Sequence, residues 1–116
     1  MKKVKITVVK TLNTKEIHGD ISMNLFSKVG CSAKLTPTCP VFVEGQEFIH
    51  TPAHMPPMPE GFRCEGAWAD IYRHINVLMF GGDFDWMNEK GKYLTCCTDG
   101  FRPVIFRLER LEEEVQ

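Results

Sequence analysis

Polar and apolar residues alternate along the first ten positions. Val4, Ile6 and Val8 share one face and Lys3, Lys5 and Thr7 the other, the two-residue period of a half-buried strand over 3–9. A different period governs the stretch from about Glu65 to Phe80. There Trp68, Ile71, Tyr72, Ile75, Leu78 and Met79 recur every three or four residues and predict an amphipathic helix ended by Gly81-Gly82. Asp70 and His74 fall on its polar side, one turn apart, and read as a solvated pair. Near the end, Lys92 to Cys97 and Arg102 to Glu109 form two further short runs. They are separated by Thr98-Asp99-Gly100, whose turn chemistry predicts a hairpin. In its second arm Val104, Phe106 and Leu108 alternate with Ile105, Arg107 and Glu109, and Pro103 belongs at the strand's start because it has no amide to donate.

The remaining segments are less regular. Asn13 suits the N-cap of a short helical turn over Thr14 to His18, closed by Gly19. Val41 to Ile49 reads as two short β segments bent at Gly45. Residues 20–38 carry little periodicity. Thr51 to Gly61 holds four prolines in eleven residues, which forbids a helix or a central strand and predicts a stiff, extended loop. Met55 and Met58 on that loop either fold back onto the core or offer a contact surface. These elements add up to an α+β domain: a small, mainly antiparallel sheet, one main helix at about 65–80, and a C-terminal hairpin at about 92–109. Residues 1–116 are expected to form a single domain, with 110–116, rich in glutamate, as a frayed tail.

Charge narrows the partners. The chain has 14 basic and 15 acidic residues and no clustered basic surface, so nucleic acid is not an expected partner. No run approaches the ~20 apolar residues that cross a bilayer, so no membrane association is expected. The basic start Met1-Lys2-Lys3 precedes an apolar stretch too short for a signal peptide, and the expected compartment is the cytoplasm, where thiols stay reduced.

That expectation draws attention to five cysteines, at positions 31, 39, 64, 96 and 97. An odd count without any C-x-x-C spacing speaks against a disulfide framework, a zinc ribbon or a thioredoxin-like motif. Cys39, Cys64, Cys96 and Cys97 nevertheless fall at element boundaries, where a compact fold brings distant positions together. Three readings stay open: small buried hydrophobes, a zinc or iron–sulfur site with three or four thiolates, or thiol redox and nucleophilic chemistry. The metal reading meets an obstacle in Cys96 and Cys97, since neighbours on a regular strand face opposite ways. Cys64 is the candidate nucleophile, because a helix N-terminus with Arg63 beside it favours thiolate. If the cysteines converge, Asp99 and Arg102 line the same site and can orient a substrate.

His50 and His54 are four apart, but the prolines of this stretch forbid the helix that would align them, and loop or surface histidines are the simpler reading. Phe84 and Trp86 read as a hydrophobic plug. There is no phosphate-cradling glycine loop, nucleophile elbow or dinucleotide fingerprint.

The combination of Cys39-Pro40-Val41-Phe42, Glu44-Gly45-Gln46-Glu47-Phe48, Pro59-Glu60-Gly61-Phe62, Ala67-Trp68-Ala69-Asp70-Ile71-Tyr72 and Gly81-Gly82-Asp83-Phe84 is specific. Its most distinctive part is Cys96-Cys97-Thr98-Asp99-Gly100 followed by Arg102-Pro103-Val104. On these residues the chain resembles a family of small prokaryotic proteins without an assigned activity. The resemblance favours Cys39, Cys64, Cys96 and Cys97 as a group and leaves Cys31 outside it. The leading expectation is therefore a cytosolic cysteine-cluster protein that binds a metal or iron–sulfur centre or performs thiol redox chemistry. The alternative is a non-catalytic binding or assembly module, using loop 52–61 as its contact surface toward a protein partner or a second copy of itself.

Overall fold

The computed structural model of the protein describes residues 1–19, 38–53 and 57–114. Its elements run β1 (Lys2–Thr11), α1 (Thr14–His18), β2 (Glu47–His50), α2 (Glu65–Met79), β3 (Lys92–Cys96) and β4 (Val104–Glu114). The four strands form one antiparallel sheet in the order β2-β1-β4-β3, and α2 packs across one face. This is the α+β arrangement that the sequence periods predict.

The alternation in β1 and β4 decides which face is covered. Ile6 and Val8 pair across the register with Leu108 and Phe106, and together with Val4 and Val104 they are fully or almost fully buried. Ile71, Ile75 and Leu78 supply the opposing surface from α2, each with no exposed area. Each such residue contributes about 1.5–3 kcal/mol by leaving water. Phe42 and Phe62 fill the space at the β2 end, their rings 5.0 Å apart, and Phe42 meets Phe106 edge-on at 5.2 Å. The other sheet face stays in water and carries ion pairs, Lys5 across the strands with Glu47 and Glu109, and Arg107 with Glu109 along β4.

α1 forms as its cap requires. The Asn13 side chain accepts the Glu16 amide while the Glu16 carboxylate accepts the Asn13 amide, a complete capping box. Gly19 closes it at a positive φ of 63°.

Several expectations need correction. The tail from 110 onwards is not frayed through its length: β4 continues to Glu114, and Lys2 pairs with Glu114 in the register. The Lys2 ammonium also donates to the Glu112 carbonyl at 2.7 Å, so the acidic run is held by the basic start of β1. Arg110 anchors the same strand inward, donating to the carbonyls of Gly82 (2.6 Å) and Leu78 (3.3 Å) and meeting Asp83 at 3.2 Å. Only the second of the two β segments expected around Gly45 forms, as β2; residues 41–46 are a turn whose Gly45 amide donates to Val8. His50 is neither a loop nor a surface residue, because it ends β2 on the covered face and is 1% exposed. Trp86 is no plug: Phe84 stacks on Tyr93 at 4.0 Å, while Trp86 remains 69% exposed. His54 and Met55 lie outside the described residues, and Met58 packs against the core.

Candidate functional site

A cavity of about 260 Å³ opens where the first turns of α2 meet the β3–β4 connection. Cys39, Cys64 and Cys97 line it, together with Asp70, Thr98, Asp99 and Arg102, over a floor that includes Phe42, Ala67 and Val104. Three of the four cysteines singled out from the sequence thus share one hollow with both residues expected to accompany them. Cys96 does not join them. It is exposed on β3 opposite Ile105, whereas Cys97 turns inward against the core. The cause is the strand geometry itself, which sends neighbouring side chains to opposite faces. Cys31 lies outside the described residues.

Each thiol has a defined seat. Cys64 is the N-cap of α2, with an extended backbone, and its sulfur accepts the Ala67 amide at 3.4 Å. A sulfur here takes the place of the usual hydroxyl or carboxylate oxygen of an N-cap residue. Cys97 follows the end of β3, where its amide donates to the Val104 carbonyl and its sulfur accepts the Val104 amide at 3.3 Å. Burial pushes the Cys97 thiol up from its ordinary value, with hydrogen bonds from the Val104 and Asp99 amides opposing that rise. Cys39 is half-buried against the core at the start of the 39–46 segment.

The connection that carries the site is held from two sides. From α2, the Asp70 carboxylate accepts both the amide (2.7 Å) and the hydroxyl (3.0 Å) of Thr98. From α1, the Thr14 hydroxyl donates to the Phe101 carbonyl at 2.9 Å, and the His18 ring Nε2 donates to the Gly100 carbonyl at 2.5 Å. Within the connection, Asp99 folds its carboxylate back to the amides of Phe101 (2.8 Å) and Arg102 (3.2 Å), an Asx turn. Asp99 is therefore first a turn former, and its place on the cavity follows from the turn.

Sequence reasoning missed Asp70, which it paired with His74. Asp70 instead bonds Thr98, and His74 is tucked against Tyr93 and Phe84, with ring centroids 4.7 and 5.8 Å away. The signal was present: Cys64, Ala67 and Asp70 are spaced by three along one ridge of α2, and all three line the cavity.

The arrangement lends the metal reading no support. Among the described residues no three His, Cys, Asp or Glu side chains come together in a way that could hold a metal ion. With Cys96 turned outward and the two aspartates engaged by amides and a hydroxyl, the ligand set proposed from Cys39, Cys64, Cys96 and Cys97 is not assembled. No disulfide is present either; the four described cysteines are free thiols.

A larger hollow of about 710 Å³ lies beside β3, lined by Trp86, Tyr93, Leu94 and Arg107 among others. Its charges satisfy one another, Lys92 with Glu89 at 2.6 Å and Arg107 with Glu109 at 2.8 Å, and no cysteine lines it.

Comparison of the chain with family models, curated proteins and solved structures found no match. What the fold defines is the class, a small α+β domain with a four-stranded antiparallel sheet and one main helix. Among the described residues no helix is long and apolar enough to cross a membrane.

Proposed function

We propose that the protein is a thiol–disulfide oxidoreductase whose working pair is Cys64 and Cys97. The observation that carries this reading is the convergence of Cys39, Cys64 and Cys97 on one cavity from three separate segments of the chain. A set of merely space-filling cysteines has no reason to gather around a hollow lined by two aspartates and an arginine.

The roles follow from the seats. Cys97 is a poor first nucleophile, because burial favours its protonated form. Cys64 occupies the helix N-terminus, the position from which thiolates commonly attack. In the proposed step the Cys64 thiolate attacks one sulfur of a substrate disulfide. The substrate S–S bond breaks, one substrate thiolate leaves and takes a proton, and a mixed disulfide remains on Cys64. Cys97 then gives up its proton and attacks the Cys64 sulfur, releasing the second substrate thiol and leaving a Cys64–Cys97 disulfide. Two electrons and two protons pass from the protein to the substrate.

Asp70 fixes the Thr98 end of the connection against α2 and so sets the approach of Cys97 to Cys64. Arg102 adds positive charge to the cavity wall and favours the leaving thiolate. We place this cycle in the cytoplasm, where reduced thiols are maintained. The residues involved are those on which the resemblance to small prokaryotic proteins rests, so the proposal extends to chains that carry the same set.

The test is to oxidise the reduced protein with one equivalent of a low-molecular-weight disulfide, then map cysteines by alkylation and mass spectrometry. A Cys64–Cys97 disulfide that Cys64→Ser slows by about tenfold or more supports the reading. Equal reactivity of Cys64→Ser, Cys97→Ser and the unsubstituted protein, with no internal disulfide, overturns it.

A further inference from the structure

Reduction of a substrate leaves the pair oxidised, and its electrons must be restored from a second thiol compound. The cavity of about 260 Å³ around the pair is smaller than the roughly 300–1,000 Å³ typical of small-ligand sites, so it admits the sulfur end of one reactant at a time. A second hollow of about 510 Å³ is lined by Thr11, Thr38, Cys39, Pro40, Val43 and Glu44 as well as Phe42. Cys39 and Phe42 belong to the walls of both. Phe42 is fixed in the core at 4% exposure, in contact with Phe62 and Phe106, and acts as the partition. Cys39 is half-buried in the same wall, and it is the one cysteine lining both hollows among the described residues.

We infer that Cys39 is a third redox thiol, passing electrons to the Cys64–Cys97 disulfide from a low-molecular-weight thiol received in the second hollow. This inference rests on the thiol reading of the site. The hollow has the volume of a small-ligand site, and its polar wall is already ordered, with the Thr11 amide donating to Glu44 at 3.0 Å.

The Cys39 thiolate attacks the Cys64 sulfur of the oxidised pair, the Cys64–Cys97 bond breaks, and Cys97 leaves as a thiolate that takes up the proton lost by Cys39. A donor thiolate in the second hollow then attacks the Cys39 sulfur, breaking the Cys39–Cys64 bond and releasing Cys64 as the thiolate ready for another cycle. A second donor thiol attacks its partner's sulfur in the mixed disulfide on Cys39 and regenerates the Cys39 thiol. Two donor thiols become one donor disulfide, and two electrons enter the pair.

The experiment compares the full chain with Cys39→Ser and Cys39→Ala, the second avoiding a hydroxyl in a half-buried seat. Oxidation by a low-molecular-weight disulfide should still end in the Cys64–Cys97 bond in both variants, since Cys39 takes no part in that bond. Re-reduction by 2-mercaptoethanol should slow by about tenfold or more in both. Acid quenching during re-reduction of the unsubstituted protein should trap the donor on Cys39. Re-reduction at the unsubstituted rate in either variant, or a donor trapped on Cys64 or Cys97 instead, overturns the relay while leaving the working pair intact. Failure of the unsubstituted protein to form the Cys64–Cys97 disulfide overturns the underlying reading and the relay with it.

Discussion

Asp70 on α2 holds Thr98 by two hydrogen bonds, one from its amide at 2.7 Å and one from its hydroxyl at 3.0 Å. Twenty-eight residues separate them in sequence, and this is the contact that fastens the Cys97 connection to the helix that begins at Cys64. Asp70→Ala leaves the Thr98 amide without its charged acceptor and should cost about 1–2 kcal/mol, measured by urea unfolding. Thr98→Val keeps the amide bond and should cost less than about 1 kcal/mol. If the proposed chemistry holds, Asp70→Ala also slows formation of the Cys64–Cys97 disulfide more than it slows alkylation of Cys64. Equal slowing of both would make Asp70 a purely structural support.

Cys64 combines a capping role with the proposed chemistry, and substitution separates them. Serine is a good N-cap, so Cys64→Ser should leave the unfolding midpoint unchanged or slightly raised while removing the attacking sulfur. Cys64→Ala loses both and should cost about 1 kcal/mol by the same unfolding measurement. A large destabilisation by serine would show that the sulfur's packing, not its cap, is what the fold needs.

Acid should destabilise the protein through buried His50 and half-buried His74. His50 is enclosed by Trp68 and Tyr72, with ring centroids at 5.5 and 6.0 Å, and neither ring nitrogen has a hydrogen-bond partner among the described residues. Burial therefore lowers its pKa, and burial together with Arg73 lowers that of His74. In the unfolded chain both titrate near 6.5. The unfolded state then binds more protons than the folded state in the window from about 6.5 down to the lowered folded values. Stability is full above that window and falls as the pH descends through it, by up to about 1.4 kcal/mol per pH unit for His50 and by less for the solvent-screened His74. His50→Phe should flatten the dependence of the urea midpoint between pH 7 and 5, and an unchanged slope would count against it.

Arg110 ties β4 to the end of α2. Its guanidinium reaches two carbonyls and Asp83, and Asp83 also accepts the Gly91 amide at 2.5 Å, which is the main reason its carboxyl lies below the ordinary value. Arg110→Met removes donors from these carbonyls and should cost about 2 kcal/mol in urea unfolding. Lysine cannot reproduce the planar fork, so Arg110→Lys should recover less than half of that loss.

The amino-acid order by itself determined the elements whose signals are local. The apolar spacing of Ile71, Ile75 and Leu78, the alternation of Val4, Ile6 and Val8, and the box of Asn13 with Glu16 depend on residues within a turn or two of one another. Even the split between Cys96 and Cys97 was implicit in the two-residue period of a strand. The tertiary structure alone decided which long-range partners win. It buried His50 because β2 pairs with β1 and places position 50 opposite Val4 under α2. It extended β4 to Glu114 because a basic β1 lies alongside to receive the acidic end. It turned Asp70 away from its helical neighbour toward Thr98, since the packing of α2 on the sheet brings a hydroxyl and an amide within reach of one carboxylate. Whether Cys39, Cys64 and Cys97 meet was equally beyond any local pattern, because it depends on how three segments converge at one end of a sheet.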